Sequence, residues 1–543
     1  MLAGDRVIIA ALVTQVCLTH WGCNEPHKSQ GRPPESRPDG PRQARPIDTI
    51  RVQVDYLPPN LNPLLSQDFW TRLIAFRTIF EPLVVVTASG AYQPFLAHEI
   101  ATLDHGRRFR LKLRENVRFH DRRPLTSADV KYTLETMLKR ARKERGSTSL
   151  LHAELGQLVE VRTLGDHQVE LVLRRRNHLF PSVLADLPIL PAHLYHRRGL
   201  ANPQLNRAPV GTGPFRLEPP GRSATRLTLV RDESYWGRRA AAARLVFDVV
   251  SDPAKALAQL RNGELDIIPT LHPAYYPDQV QGERMKRRFQ AIRIHPYRMR
   301  LMLFNVRQGP LKDRRVRLAL AQLTDRPRLV REIRHNLGQV VSAPVWPLSS
   351  WYDSSVPHPH EYDRAAAARL LDAAGWTRAQ PGKVRRKQGH PLRLRLLLAR
   401  EAKQMVQAAA QLKAEFWAAG VQLEVRVGDF GFVKSQLRRG RFDIALIGLA
   451  PRPESDLSPV LHSQGQLNLG GYDNPTVDRL LDAVRATPPE GDRLRVLRQL
   501  YRALHEDPPF LILYAPIQVM VVARSVGGLA NNGRWPVLAG LRR

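Results

Sequence analysis

The sequence predicts a mixed α/β protein with more than one lobe, and three observations carry that prediction. The chain has 543 residues, whereas a single core stops growing near roughly 250–300, so two or three domains, or one two-lobed body, are expected. Segments alternating at period two interleave with segments of helical periodicity along the whole chain. No internal repeat of about 20–50 residues is present, which argues against a solenoid or propeller. Hydrophobic residues make up 43% and charged residues 24%. That is ordinary globular usage and excludes collagen, a coiled coil, wholesale disorder and a polytopic membrane protein.

The first apolar run, Val7 to Leu18, has the length of a signal peptide and is too short to span a bilayer, which takes ~20 residues. Gly22-Cys23 follows and resembles the lipobox of bacterial lipoproteins, with His20 where that box usually carries Leu. Residues 1–22 are therefore expected to be a cleaved leader and Cys23 the lipidated first residue of an exported chain. With Cys23 acylated, the second cysteine, Cys17, is lost with the leader and no free thiol remains, which suits an oxidising compartment. Residues 23–46 are rich in Pro, Gly and Arg and lack any large aliphatic residue, so they read as a disordered or polyproline-like tether.

The folded part begins at Ile47. Ile50 to Val54 alternates as a strand, and Phe69 to Phe80 reads as a helix ending before Glu81-Pro82. Phe109 to Leu113 is a strand. Thr126 and Asp129 form a capping box opening a helix whose Val130, Leu134, Met137 and Leu138 share one face. Val169 to Leu173 and Leu301 to Phe304 are strands, and Asp313 caps the next helix. Ala365 to Ala374 is a helix stopped by Gly375. Leu392 to Leu398 and Val421 to Val427 are strands around a Glu401 to Ala419 helix. Phe442 to Ile447 lacks alternation, so it is a strand buried on both faces, entered through a tight turn at Gly440.

Net charge is +33 at a pI of about 11.0, from 83 Lys and Arg of which 70 are Arg. These arginines are spread over nearly every segment instead of forming a tail or a recognition stripe, so no specific nucleic-acid partner is expected. Motifs for catalysis are missing: there is no GxSxG, P-loop, HExxH or GxGxxG. Gly211-Thr212-Gly213-Pro214-Phe215 has Pro where a phosphate-cradling helix needs an amide, and reads as a turn entering a strand. His358-Pro359-His360 reads as a loop, and Phe119-His120-Asp121 as turn chemistry. No enzyme activity, no cofactor and no metal site is expected.

The order of several short motifs carries more. Ile79-Phe80-Glu81-Pro82-Leu83, Leu111-Lys112-Leu113-Arg114-Glu115-Asn116-Val117-Arg118-Phe119-His120-Asp121 and Pro124 to Val130 come first. Pro209 to Phe215, Ser234-Tyr235-Trp236, Gly263-Glu264-Leu265-Asp266-Ile267, Phe304-Asn305, Ala373-Ala374-Gly375-Trp376, Gly440 to Asp443 and Tyr472 to Asp478 follow in turn. Taken together, from Ile47 to the C-terminus, the chain resembles the extracytoplasmic solute-binding proteins of the peptide/nickel class, which feed ATP-driven importers. That resemblance implies a type II, periplasmic-binding-protein-like fold with two lobes, a hinge and an inserted domain. Lobe I is implied at 47–88, 206–297 and 508–543, the insertion at 89–205, and lobe II at 298–507. It also implies capture of a peptide or small-molecule ligand, one per monomer, by hinge closure, with a permease and an ATPase as partners and a lipid anchor at the membrane of the cell envelope.

One departure bears on the ligand. Peptide-binding members carry a Trp after the buried strand and, three residues on, an Asp that pairs with a peptide ammonium. Here Leu449 and Arg452 stand at those places. A guanidinium disfavours an ammonium and favours a carboxylate or phosphate. Leu449, Arg452, Glu454, Asp456 and Asn305 are the candidate ligand contacts, with Glu454 or Asp456 able to take over the anchor; a solvated loop residue is the alternative for Arg452. The competing function is a cationic envelope protein that has lost transport and binds acidic polymer, lipid or a protein partner.

Overall fold

Ile50, Val52 and Val54 all point into the core along the first strand, Thr49–Val54, which forms the centre of a seven-stranded sheet. The structure, a computed structural model, describes residues 48–542 apart from 67, 88–89, 145–148, 354–355, 357–359, 489–491 and 532–535. The expected leader, Cys23, the tether and His358 lie outside the described residues. The order of the sheet is Phe289–Ile294, Gln518–Ala523, Ile267–Ile268, Thr49–Val54, Arg244–Val249, Arg226–Arg231 and Phe215–Arg222. One face packs on the large core that holds Ile50 and Val52. The other, carrying Ile268, Val519 and Val521, packs on Leu257 and Leu260 of helix Pro253–Arg261.

A second sheet runs Gly338–Gln339, Phe510–Pro516, Met299–Phe304, Ile444–Leu449, Arg393–Ala399 and Gln422–Gly428. Arg393–Ala399 lies between two parallel neighbours, joined through helices Lys403–Ala418 and Phe430–Arg438. Leu396 and Leu398 face one core and Leu397 and Ala399 the other, so helices cover both sides. That is why Ile444 to Leu446 show no alternation. Gly440 enters that strand at φ +63°, and Gly375 ends its helix at φ +84°, positions where a side chain would be strained.

A four-stranded antiparallel sheet, Ala97–Leu103, Arg108–Leu113, Gln168–Leu173 and Leu158–Thr163, carries helix Ser127–Lys143. The Oδ2 of Asp129 accepts the Thr126 N–H at 2.9 Å, closing the predicted cap. Phe109, Leu111, Val130 and Leu134 join the core of the first sheet, so the insertion and the first lobe share one apolar interior.

The chain passes between the two large sheets twice. Strand Phe289–Ile294 of the first leads through residues 295–298 into Met299–Phe304 of the second, and Phe510–Pro516 of the second leads through Ile517 into Gln518–Ala523 of the first. The return therefore falls at Ile517 and not at 508, because Phe510–Pro516 is hydrogen-bonded along Met299–Phe304. Both crossings are anchored to the second lobe. Trp346 Nε1 donates to the His295 carbonyl at 2.8 Å, and the Ile517 N–H donates to the Leu337 carbonyl at 3.0 Å.

One helix is shorter than its periodicity predicts: Phe69–Ala75 replaces the expected run to Phe80. Arg77 takes φ +66°, and the backbone of residues 78–80 turns its carbonyls to other partners. The Phe215 N–H donates to Thr78 and the Gly213 N–H to Ile79, at 3.0 and 2.9 Å. The helical run is broken at extended Phe76 and left-handed Arg77, and this tertiary strand-like pairing satisfies the carbonyls beyond the break.

Candidate functional site

The loop that follows Ile444–Leu449 is built to stay in one place, with Pro451 and Pro453 flanking Arg452. The Arg452 N–H donates to Ser455 Oγ at 2.7 Å, and the Asp456 Oδ1 accepts the Ser458 N–H at 2.8 Å. Arg452 is not a solvated loop residue: only 3% of it is exposed. Its Nη2 donates to Glu154 Oε2 and its Nη1 donates to Asp186 Oδ2 at 3.2 Å. Both carboxylates come from the insertion, so this ion cluster crosses the seam between the lobes. Arg72 stands on the far side, its Nη1 3.8 Å from Asp186 Oδ1. Burial works against the Arg452 charge, but Glu154 and Asp186 outweigh it and hold the guanidinium above its ordinary pKa. Burial pushes Glu154 up to about 7, opposed by Arg452 and reinforced by Asp456 and Asp186.

Asp456 continues the seam. Its Oδ2 accepts from Asn177 Nδ2 at 3.1 Å and lies 3.9 Å from Arg485 Nη1. The His178 N–H donates to the Arg485 carbonyl at 3.0 Å, and Leu179 inserts into the core of the second lobe. Beside this contact a cavity of about 300 Å³ opens, lined from the insertion by Gln157, Arg174 and Arg175 and from the second lobe by Asp456, His462 and Arg485. Its charge is predominantly positive.

The other candidates divide. Leu449 ends its strand opposite Met299 and is partly buried against the second core. Glu454 is half-buried, and burial raises its carboxyl against the opposing pull of Arg493. Asn305 does not join them. It sits past Phe304, which pairs with Ile444 at the opposite end of the strand pair from Leu449, about 17 Å away at ~3.4 Å per residue. Its Nδ2 donates to the carbonyls of Gly440 and Phe442 at 3.0 and 2.9 Å. It staples the turn into the buried strand. Sequence reading missed Glu154, Asp186 and Arg72. The available signal was a lone charge inside an apolar helical stretch, as in Phe69-Trp70-Thr71-Arg72-Leu73-Ile74 and Leu150-Leu151-His152-Ala153-Glu154-Leu155.

Motifs far apart in sequence meet at a second carboxylate. Glu81, 1% exposed, accepts from Thr212 Oγ1 at 2.9 Å, Tyr235 Oη at 2.6 Å and Trp236 Nε1 at 2.9 Å. His120 bridges to the same turn, its Nε2 2.9 Å from the Gly213 carbonyl, which fits a turn role. Burial raises Glu81 to about 7, against the pull of its three donors and of Arg77. A carboxyl raised in the folded chain binds protons more tightly than in the unfolded one. Its contribution to stability is full below pH ~4.5 and is lost as pH rises through about 7. The unfolding free energy is therefore expected to fall from pH 5 to pH 7, by on the order of 2 kcal/mol from Glu81. Glu81→Gln should flatten that slope; an unchanged slope would refute the assignment.

Among the described residues, no helix is long and apolar enough to cross a membrane, and no group of three or more His, Cys, Asp or Glu is placed to hold a metal ion.

Two lobes joined by two crossings and meeting across a buried seam define the class, a two-lobed periplasmic-binding-protein-like fold. A family model described as bacterial extracellular solute-binding proteins, family 5 middle, matches residues 91–468, and the chain belongs to this family of ABC-importer solute-binding proteins. Protein XP55 of Streptomyces lividans is 27% identical over 504 residues, covering 91% of this chain and 88% of that protein. The nickel-binding periplasmic protein of Escherichia coli (strain K12) is 24% identical, with 86% and 89% covered. The oligopeptide-binding protein AppA of Bacillus subtilis, solved with a nonapeptide, matches the fold with a TM-score of 0.73. It is 22% identical, over 91% of this chain and 98% of AppA.

Proposed function

We propose that this chain is the substrate-binding lipoprotein of an ABC importer, anchored through Cys23 in the envelope, and that it captures a peptide or other organic solute between its lobes. The observation that supports this reading most is the pair of strand crossings at 295–298 and Ile517, beside a seam built from side chains of both lobes. Two such crossings are a hinge. A solute that contacts both lobes only when they are closed shifts the population toward closure by its differential affinity. A permease with its ATPase then reads the closed form.

In this reading Leu449, Arg452, Glu454 and Asp456 are the contribution of the second lobe. The Arg452 charge is matched by Glu154 and Asp186, so it does not serve as a bare anion receptor. Arg174, Arg175 and Arg485 around the adjoining cavity favour a carboxylate, such as a peptide C-terminus. AppA is described with a nonapeptide and the Escherichia coli relative as nickel-binding, so peptides and nickel chelates belong in the same screen. The function requires binding alone and no bond making or breaking.

The test is thermal denaturation of the full chain with peptide, nickel–histidine and sugar panels, together with native mass spectrometry of protein purified from its source. The right solute is expected to bind once per chain and to stabilise by RT ln(1 + [L]/Kd), about 2.7 kcal/mol at 100 Kd. No shift with any panel and no co-purifying solute would sink this reading. Salt-sensitive binding to acidic polymers alone would favour the envelope-adhesion alternative.

A further inference from the structure

A cavity of about 600 Å³, sharing no lining residue with the seam cavity, lies between the turn at Glu81, Phe95 and Arg114 of the insertion, the Tyr235–Ala241 segment and the C-terminal residues Ala539 to Arg542. Five arginines line it, Arg77, Arg114, Arg238, Arg239 and Arg542, against one carboxylate, Glu81. That carboxylate is already held by Thr212, Tyr235 and Trp236. Arg239 is paired with Glu233 at 2.7 Å. The remaining guanidiniums have no carboxylate partner within salt-bridge distance among the described residues.

Two of them are fixed by aromatic rings. Arg77 lies over the Phe95 ring at 5.3 Å and Arg114 over the Trp236 ring at 5.3 Å. The two rings meet edge to face with centroids 5.4 Å apart. Arg114 Nε also donates to the Phe95 carbonyl at 2.7 Å. Stacking occupies the face of a guanidinium and leaves its N–H edge available, which is the part that recognises planar oxyanions. Arg77 adds two features. Its Nε is buried without a hydrogen-bond partner, and its backbone is held at φ +66°, a conformation that non-glycine residues keep only where surrounding structure imposes it.

We propose that this cavity is a second ligand site, which holds a small solute bearing a carboxylate or phosphate between the guanidinium edges of Arg77 and Arg114, with Arg238 and Arg542 closing the rim. It uses residues of the first lobe and of the insertion, which share one apolar interior, and none of the second lobe, so it stands whether or not the seam captures a transported solute. The site would let the protein sense or retain an anion while its hinge remains free.

The experiment is isothermal titration of the full chain with pyrophosphate and with citrate, at a salt concentration that screens distant charge, about 0.15 M. One saturable site per chain is expected for at least one of the two probes. Arg77→Gln should weaken it at least tenfold. Because Arg77 is partly buried and could disturb folding, Arg238→Glu and Arg542→Glu on the exposed rim provide independent variants, each expected to weaken binding several-fold. The double variant Arg287→Gln/Arg439→Gln removes two exposed charges elsewhere and should leave affinity within twofold. Arg174→Gln tests whether the anion sits in the seam instead, and should also leave it unchanged. The proposal is overturned if neither probe saturates. It is overturned equally if the Arg287/Arg439 variant loses as much as the rim variants, which would place the ions in the diffuse field of a chain of net charge +33, or if Arg174→Gln abolishes binding.

Discussion

Arg452→Ala is expected to lower stability by about 3–5 kcal/mol, the usual consequence of breaking a buried ion pair by removing one partner. The guanidinium is 3% exposed and touches Glu154, 2% exposed, and Asp186. Alanine leaves both carboxylates buried and removes the guanidinium they share, with Asp456 nearby and Arg72 Nη1 3.8 Å from Asp186 Oδ1. The chain can relieve this by protonating Glu154 or by parting the lobes to let water in. The second route would be visible as an increase in radius of gyration by X-ray scattering. The paired replacement Arg452→Met/Glu154→Leu should recover much of the loss, since it removes charge and counter-charge together. Chemical denaturation of the three chains decides the matter. An Arg452→Ala variant within ~0.5 kcal/mol of the parent, in the range of ordinary surface changes, would mean that the seam is not held by this cluster.

Gly211→Ala should be nearly as damaging, for a steric reason. A Cβ there would fall 1.9 Å from the Ile79 carbonyl oxygen and 2.7 Å from its carbon. The obstruction is backbone, so no rotamer change relieves it. The Gly213 N–H donates to that same carbonyl at 2.9 Å, and Glu81 two residues on accepts from Thr212, Tyr235 and Trp236. Displacing residues 78–81 would strain the backbone and unseat a buried carboxylate. A loss of about 3 kcal/mol or more is expected from overpacking and broken buried hydrogen bonds combined. Thermal unfolding of the Ala variant measures it, and a midpoint equal to that of the parent would show that the turn can move without penalty.

The glycine turn also shows what local reading can reach. Gly211-Thr212-Gly213-Pro214-Phe215 is legible as a turn into a strand, and strand Phe215–Arg222 begins there. What requires two glycines is legible only in three dimensions, because the atoms they approach belong to Thr78 and Ile79. The helix starting at Phe69 follows the same rule. Its apolar spacing continues to Phe80, but the backbone turns extended at Phe76 and left-handed at Arg77, the helix ends at Ala75, and the carbonyls of Thr78 and Ile79 pair instead with Phe215 and Gly213. Periodicity reports which face is apolar and cannot report where a remote segment redirects the backbone.

The sequence by itself determined the class of protein: its alternating strands, the helix caps at Thr126 and Asp313, the left-handed glycines at 375 and 440, and the motif order that marks a solute-binding family. These are set by local sterics and by burial of one face, which a few neighbouring residues encode. Tertiary structure alone decided that Arg452 is a buried tie between the lobes, that Glu154 and Asp186 are its partners, 298 and 266 residues away, and that Asn305 staples a turn far from them. An ion pair depends on position in space, and nothing in the chain near Arg452 records which carboxylates the fold will bring to it.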